Sequence, residues 1–519
     1  MTRHPFPRLG AIPTAGGVRF AVWAPEQDAV AVRVRGGDHR LERRGDGVFE
    51  AVVDAALGDD YLFVLGDGRA LPDPCSRRQP RGIRGPSQVV DIRAPARSSA
   101  RLRPALADLV LYELHVGTFS AAGTFDGVVE RLCELRRLGV TAVELMPVGT
   151  FPGRRNWGYD GVYTSAPHEV YGGPAGLRRL VDAAHAEGLA VILDVVYNHI
   201  GPGADAISAF APYFTDRATT FWGDALDYTQ PGVREWAIQN AELWVRDYGV
   251  DGLRLDAVHA IHDDGRPHVL TELADRVRTV DAQTLVISEI ETGDLRPVEL
   301  WGHDAQWADE LHHVLHVLLT GEQEGYYRQY PPSVAELARQ LERTPPEALV
   351  VCSQNHDQVG NRALGDRPAP DELRLRAAAV LFAPQTPLLF MGEEYGEQRP
   401  FRFFTDHDDP EIAEATREGR RREFERFAAF AGSDVPDPQA PETFAASVLD
   451  PAHGDPALRG LYAELLALRR RLPREVDVEA DERRGLLRVR RGDVELLLNF
   501  AHEPQDGVPP RDVALRRRG

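Results

Sequence analysis

Residues 251–261 read DGLRLDAVHAI. In an extended chain, alternation places Gly252, Arg254 and Asp256 on one face and Leu253, Leu255 and Ala257 on the other. One face is apolar and the opposite one carries charge. An arginine and an aspartate two residues apart on an otherwise buried strand cost stability unless they pair with each other or with a ligand. The stretch by itself therefore allows a structural ion pair at a strand end. The runs around it point to a larger cluster.

From Leu109 onward the chain alternates strand-like and helix-like segments. LVLYELHV, TAVELMPV, LAVILDVVYNH, DGLRLDAV, TLVISEI, ALVVCSQNHD and PLLFMGEE are candidate strands, and a weaker eighth lies at Asp304 to Trp307. Between them run helical stripes such as Phe125, Val128, Val129, Leu132, Leu135 and Leu138, or Leu177, Leu180, Val181 and Ala184. Seven or eight such units exceed what most doubly wound sheets hold and match a closed (β/α)8 TIM barrel, so the fold class is α/β. Before the barrel, Val18 to Ala24, Ala29 to Val34, Gly47 to Val53 and Asp60 to Leu65 read as strands of a small β-sandwich. The Pro- and Arg-rich run from Leu71 to Pro104 reads as a surface linker. Past Thr443, a helix over Leu458 to Arg471 and strands over Gly485 to Arg490 and Asp493 to Phe500 suggest a small β domain. The expected domains are 1–95 (sandwich), 96–442 (barrel) and 443–519 (carboxyl-terminal β domain).

Composition narrows the partners. The 519 residues include 43% hydrophobic and 27% charged, the balance of a globular protein, which excludes disorder as the main theme. A formal net charge of −20 argues against nucleic acid or an anionic membrane as the main partner. No lysine occurs, so all 60 basic residues are arginine, which excludes Schiff-base chemistry and a P-loop lysine. The cysteines Cys75, Cys133 and Cys352 are far apart and odd in number, as suits buried thiols in a reducing compartment. MTRHPFPRLGAIPTAGG lacks the apolar core of a signal peptide, and no long apolar run follows. The expectation is a cytoplasmic chain.

Polar groups gather at the carboxyl ends of the apolar runs: Asp194, Asn198 and His199; Arg254, Asp256 and His259; Glu289; His356 and Asp357. In a barrel those ends meet on one face. The sequence shows no HxH or HExxH pair, and Arg254 competes with a cation for Asp256, so metal catalysis fits poorly. A nucleophile elbow is also missing, which disfavours acyl transfer. Glycoside hydrolysis fits, because it needs one carboxylate to attack and one carboxylic acid to protonate the leaving oxygen. Arg254 is expected to keep Asp256 ionised, and neighbouring carboxylates to keep Glu289 protonated. Two long connections, from Met146 to Gly173 and from His199 to Pro231, follow barrel strands. The second carries Tyr213, Phe214, Phe221, Trp222 and Tyr228, read either as platforms for sugar rings or as a lid packed for its own stability.

These motifs also carry a resemblance. AVILDVVYNHIG, GLRLDAVHAI, VISEI and SQNHDQVGN resemble, in order and spacing, the four signature regions of the α-amylase clan, glycoside hydrolase family 13. RFAVWAP, LYELHVGTF, ELMPV, NWGYDGVY, YGGP, PYFTD, DAQWADELHH, LLFMGEEYG, FFTDH and EGRRREF are similar to the malto-oligosyltrehalose trehalohydrolase family, across nearly the whole chain and with an E-set-like sandwich in front.

The resemblance implies Asp256 as nucleophile, Glu289 as general acid and base, and Asp357 on the hydroxyls of the sugar being cleaved. It implies His199 and His356 flanking that sugar, Tyr159 beneath it, Arg254 orienting Asp256, and Asp194 bracing Arg254. Trp157, Trp222, His259, Asp309, His313, Gln358 and Asn361 complete the implied substrate-binding set. No cofactor or metal is called for. The implied substrate is malto-oligosyltrehalose, the outcome is retention with the two carboxyls about 5 to 5.5 Å apart, and a functional partner is a malto-oligosyltrehalose synthase. Branching, debranching or amylase-type hydrolysis stand as alternative activities, and a glucan-binding protein with an inactive barrel as a non-enzyme alternative. Two departures bear on specificity: EIETGDLRP follows the general acid, leaving Glu291 as a rival to Glu289, and the segment from Tyr327 to Leu349 is short.

Overall fold

The computed structural model describes residues 6–92, 104–220, 223–291, 293–424 and 435–517. Eight parallel strands close into a barrel in chain order: β1 (Leu111–Leu114), β2 (Ala142–Leu145), β3 (Ala190–Val195), β4 (Gly252–Leu255), β5 (Leu285–Ser288), β6 (Ala305–Trp307), β7 (Leu349–Cys352) and β8 (Thr386–Phe390). The eighth strand foreseen at Asp304 to Trp307 is β6. Closure leaves the strands without a free edge and covers both faces of each, which is why these runs are apolar almost throughout.

The inward positions are layered. Leu111, Ala142, Ile192, Ile287, Val350 and Leu388 belong to one apolar cluster distinct from the main core. Charged side chains follow at Glu113 on β1, Glu144 on β2, Asp194 on β3 and Arg254 on β4, with Glu113 opposite Glu144 and Asp194 opposite Arg254 in register. Leu253 and Leu255 instead join the larger core that includes the surrounding helices. The alternation read from residues 251–257 thus separates the barrel interior from the helical shell.

Ahead of the barrel two antiparallel sheets pack as a sandwich, one built on Gly17–Trp23 and Val48–Val53, the other on Val30–Val34 and Asp60–Leu65. The linker expectation fails over residues 72–92. Asp73, Ser76, Gln79 and Ser87 are buried there, and Asp73 accepts hydrogen bonds from Tyr61 Oη at 2.6 Å and the Cys75 amide at 2.8 Å. Proline, arginine and short polar residues suit a surface tether by composition, but here the segment folds on itself, its polar side chains bonding to near neighbours such as Ser76 to Gln79 and Gln79 to Gly85, and is tied to the barrel as well. Arg78, for example, pairs with Glu169 at 2.8 Å.

At the carboxyl end, Asp477–Asp481, Leu486–Arg491, Val494–Asn499 and Asp512–Arg517 form a four-stranded antiparallel sheet, preceded by the helix Pro456–Arg469. The short helix Pro441–Ala446 crosses the expected 442/443 boundary. No helix among the described residues is long and apolar enough to cross a membrane.

Candidate active site

Arg254 is the centre of the polar layer. It is fully buried and its two terminal nitrogens reach three carboxyls: Nη1 donates to Asp194 at 2.7 Å and Asp256 at 2.8 Å, and Nη2 donates to Glu289 at 2.8 Å. Its guanidinium lies 4.2 Å from the ring centroid of Trp307 on β6. A rigid planar fork with several donors can do this where a flexible ammonium cannot. Surrounded by anions, Arg254 is held even further above the usual arginine range despite burial.

Asp256 stands just past β4. Its Oδ1 accepts from Arg254, and its Oδ2 accepts from Asn198 Nδ2 at 2.7 Å. The next residue, Ala257, has φ +40°, a left-handed conformation uncommon for a residue with a Cβ. That turn aims its amide at Glu289 Oε2, 2.9 Å away. Glu289, past the end of β5, therefore touches two donors, whereas the sequence reading surrounded it with carboxylates. Glu291 points away: its side chain is 82% exposed and its carboxylate lies 3.6 Å from His259. Of the two, only Glu289 is brought beside Asp256 on the Arg254 guanidinium.

Asp357 lies in the first turn of the short helix His356–Gly360 beyond β7, with 31% of its side chain exposed. Asn361 donates to its Oδ1 at 2.9 Å, and His356 Nε2 lies 3.3 Å from Oδ2. Glu113 anchors the other side of the His356 ring at 2.5 Å. Burial works against a charge on His356, but Asp357 and Glu113 outweigh it and raise the ring to about 10. Tyr159 stacks on His356 with centroids 5.0 Å apart and donates its hydroxyl to Asp194 at 2.7 Å. One unbroken set of contacts thus joins Asp357, His356, Tyr159, Asp194, Arg254, Asp256 and Glu289.

The remaining expected residues divide. Asp309 sits beyond β6, and burial, then Glu289 and Asp357, push its carboxyl up to about 8. Although it precedes the helix Glu310–Thr320, its side chain does not cap that helix. His313 and Gln358 lie together at 3.5 Å, with Tyr330 4.9 Å from the His313 ring. His199 has both ring nitrogens in contact with the protein, one with Asn198 and the other 2.9 Å from the Tyr159 carbonyl oxygen. Trp157 is placed differently from the sequence expectation. It is buried, stacks on Phe401 at 5.1 Å and spends its N–H on the Arg402 carbonyl.

In the aromatic connection, Tyr213 and Tyr228 follow the packing reading. Tyr213 and Tyr228 are buried, Tyr213 at 5.5 Å from Trp23 of the sandwich, and Tyr228 donating to the Tyr197 carbonyl at 2.6 Å. Tyr213 joins sandwich to barrel through Trp23 and Trp236, and Tyr228 ties the connection back to the end of β3. Phe221 and Trp222 fall outside the described residues.

A model of the alpha-amylase catalytic domain matches residues 96–211 and 217–434. The malto-oligosyltrehalose trehalohydrolase of Deinococcus radiodurans is 44% identical over 511 residues, covering 91% of this chain and 84% of that protein. The chain belongs to the malto-oligosyltrehalose trehalohydrolase family. A second trehalohydrolase, from Rhizobium sp., is 42% identical, with 96% of this chain and 93% of that protein covered. Among solved structures, one from Salmonella typhimurium assigned as an alpha amylase superposes with a TM-score of 0.89 at 36% identity, covering 98% of this chain and 99% of that one. Pullulanase of Anoxybacillus sp. complexed with maltotetraose shares the fold, with a TM-score of 0.72 at 19% identity, covering 95% of this chain and 81% of that one.

Two contributors to this trehalohydrolase-family site escaped the sequence reading: Glu113 holds His356, and Trp307 underlies Arg254. Asn198, named among the strand-end polar groups, donates through its side chain to both the carbonyl and the carboxylate of Asp256. Glu113 did leave a signal, being a lone charge inside the apolar run LVLYELHV. Nothing in the sequence announced that the Ala257 amide would face Glu289.

Proposed function

We propose that this protein hydrolyses the α-1,4 bond next to the terminal trehalose of malto-oligosyltrehalose and releases trehalose with retention of configuration. The observation that carries the chemistry is the single guanidinium of Arg254, which holds Asp256 and Glu289 at 2.8 Å each from adjacent nitrogens. Two carboxyls fixed side by side are what a double displacement needs. The substrate assignment is supported by the names and high coverage of the similar trehalohydrolases.

In the first step an Asp256 oxygen attacks the anomeric carbon while Glu289 gives its proton to the leaving glycosidic oxygen, so trehalose departs neutral. Arg254 and Asn198 hold the Asp256 carboxylate in line. The positive charge developing on the sugar ring is met by the Asp256 and Asp357 carboxylates. In the second step Glu289 takes a proton from water, whose oxygen attacks the same carbon and frees Asp256. Tyr159, on its His356 support, forms the wall against which the sugar ring rests. The barrel supplies this chemistry without lysine or cysteine.

The test offers malto-oligosyltrehalose and maltoheptaose in parallel, with chromatography for trehalose. Trehalose release from the first and slow turnover of the second are expected. Rapid cleavage of maltoheptaose with no preference for the trehalosyl end would reject the substrate assignment in favour of another α-glucan activity. Asp256→Ala is expected to lose several orders of magnitude in turnover while glucan binding stays measurable.

A further inference from the structure

A small cavity lies where the amino-terminal part of the chain meets the barrel. Arg8 and the 72–92 segment, through Cys75 and Arg77, form one side of it. Ser165 and one face of the helix Pro231–Leu243, through Trp236 and Gln239, form the other. The space takes a single guest about the size of a water molecule.

Arg77 is the residue that this wall leaves unsatisfied. It is only 7% exposed, its Nη2 reaches the Leu9 carbonyl at 3.5 Å, the edge of a hydrogen bond, and its Nε is buried with no partner. Among the described residues no carboxylate forms an ion pair with it. The two acids that face it are engaged elsewhere: Asp73 accepts from Tyr61 and from the Cys75 amide, and Asp247 takes Arg8. Arg8, the second guanidinium of the wall, repels it. Burial first, and then Arg8, hold Arg77 down to about 10 against the pull of Asp247 and Asp73. A buried cation with no adjacent anion carries a desolvation cost that nothing in the protein offsets.

The other wall groups call for an acceptor as well. Gln239 Oε1 is taken by the Leu9 amide at 2.8 Å, Asn240 Oδ1 by Tyr197 and Trp244, and Ser165 Oγ by Asn240 at 2.8 Å. What the wall residues have left, among the described residues, is donors. These are Arg77 Nε–H, the buried and unpartnered indole N–H of Trp236, and the Cys75 thiol, which burial and Asp73 keep protonated. A water molecule there brings two protons of its own that need acceptors. A halide ion accepts from every side and also supplies the missing charge.

We propose that this cavity is a binding site for one halide ion, chloride under ordinary conditions, held by Arg77 with Arg8 behind it. The ion ties the 72–92 segment to the helix Pro231–Leu243, so it acts on the junction between the amino-terminal sandwich and the barrel. The site shares no residue with the set that joins Asp357 to Asp256 and Glu289, and it goes beyond the proposed hydrolysis.

Two measurements on the full chain test it, and neither needs a substrate. A crystal soaked in sodium bromide and measured at the bromine absorption edge should show an anomalous peak in the cavity beside Arg77. Replacing sodium gluconate by sodium chloride at constant ionic strength, which leaves screening unchanged, should raise the thermal midpoint by about 2 °C. Arg77→Met should lose that increment. No bromide peak in the cavity, equal midpoints of the unaltered protein in the two salts, or an Arg77→Met variant that keeps the full increment would each overturn the proposal. If Arg77→Met does not fold, the anomalous map and the salt comparison on the unaltered protein still decide it.

Discussion

Arg254 Nη2 stands 2.8 Å from Glu289 Oε2, although one residue lies on β4, the other lies past the end of β5, and 35 positions separate them. The same guanidinium holds Asp194 and Asp256 through Nη1, so one buried cation gathers two buried carboxyls and the partly exposed Glu289. Breaking such a set from the cation side leaves uncompensated charge. Arg254→Met should destabilise the fold by about 3–5 kcal/mol and abolish measurable turnover. Urea denaturation and the trehalose-release assay, run side by side, check both halves.

Glu289 and Glu291 are two residues apart yet differ in setting, one on Arg254 and the other in solvent beside His259. Glu289→Gln should cost about 10²–10⁴ in kcat, the range expected for loss of a general acid and base. Glu291→Gln should stay within about twofold of the parent. The reverse ranking would move the acid role to Glu291.

Asp309 gives the alkaline side a test. Its carboxyl rises from an ordinary unfolded value to about 8 in the folded protein, through burial first and then Glu289 and Asp357. The folded state therefore binds more protons than the unfolded state between about pH 4 and 8, and stability falls as pH rises through that window. Asp309→Asn removes this loss. Its thermal midpoint should exceed the parent's by a margin that grows from pH 5 to pH 8 and then levels off, and an equal margin at all pH values would contradict the burial of a protonated Asp309.

His356 runs the opposite way. Raised to about 10, it contributes stability that is complete below about pH 6.5 and is lost as pH climbs through the folded value. Glu113→Gln removes one of the two anions that sustain this shift. The variant should be less stable than the parent at pH 6 in chemical denaturation, with the gap narrowing by pH 10.

Tyr213 tests the packing reading of the aromatic connection. Its ring sits between Trp23 and Trp236, at 5.5 and 6.5 Å. Tyr213→Ala should cost about 3–5 kcal/mol of stability by opening a cavity between sandwich and barrel. KM for malto-oligosyltrehalose should hold steady, and a large rise in KM with unchanged stability would return Tyr213 to the sugar-binding surface.

The sequence by itself determined the barrel and which charged residues stand at the ends of its strands. Eight apolar runs with helical stripes between them admit few topologies, and charged residues at the ends of those runs, such as Asp256 and Glu289, have only one face on which to meet. Alternation in GLRLD also foretold that Arg254 would share a face with Asp256. Only the tertiary structure decided how those groups are partnered. Whether Glu289 would face anions or the Arg254 and Ala257 donors depended on a left-handed turn and on distances between strands, neither of which has a local signature. Likewise, Asp73, Trp157 and Tyr213 read as linker or ligand platform because composition records what a side chain can do. Its burial is set by segments arriving from elsewhere in the chain, such as Tyr61, Phe401 and Trp23.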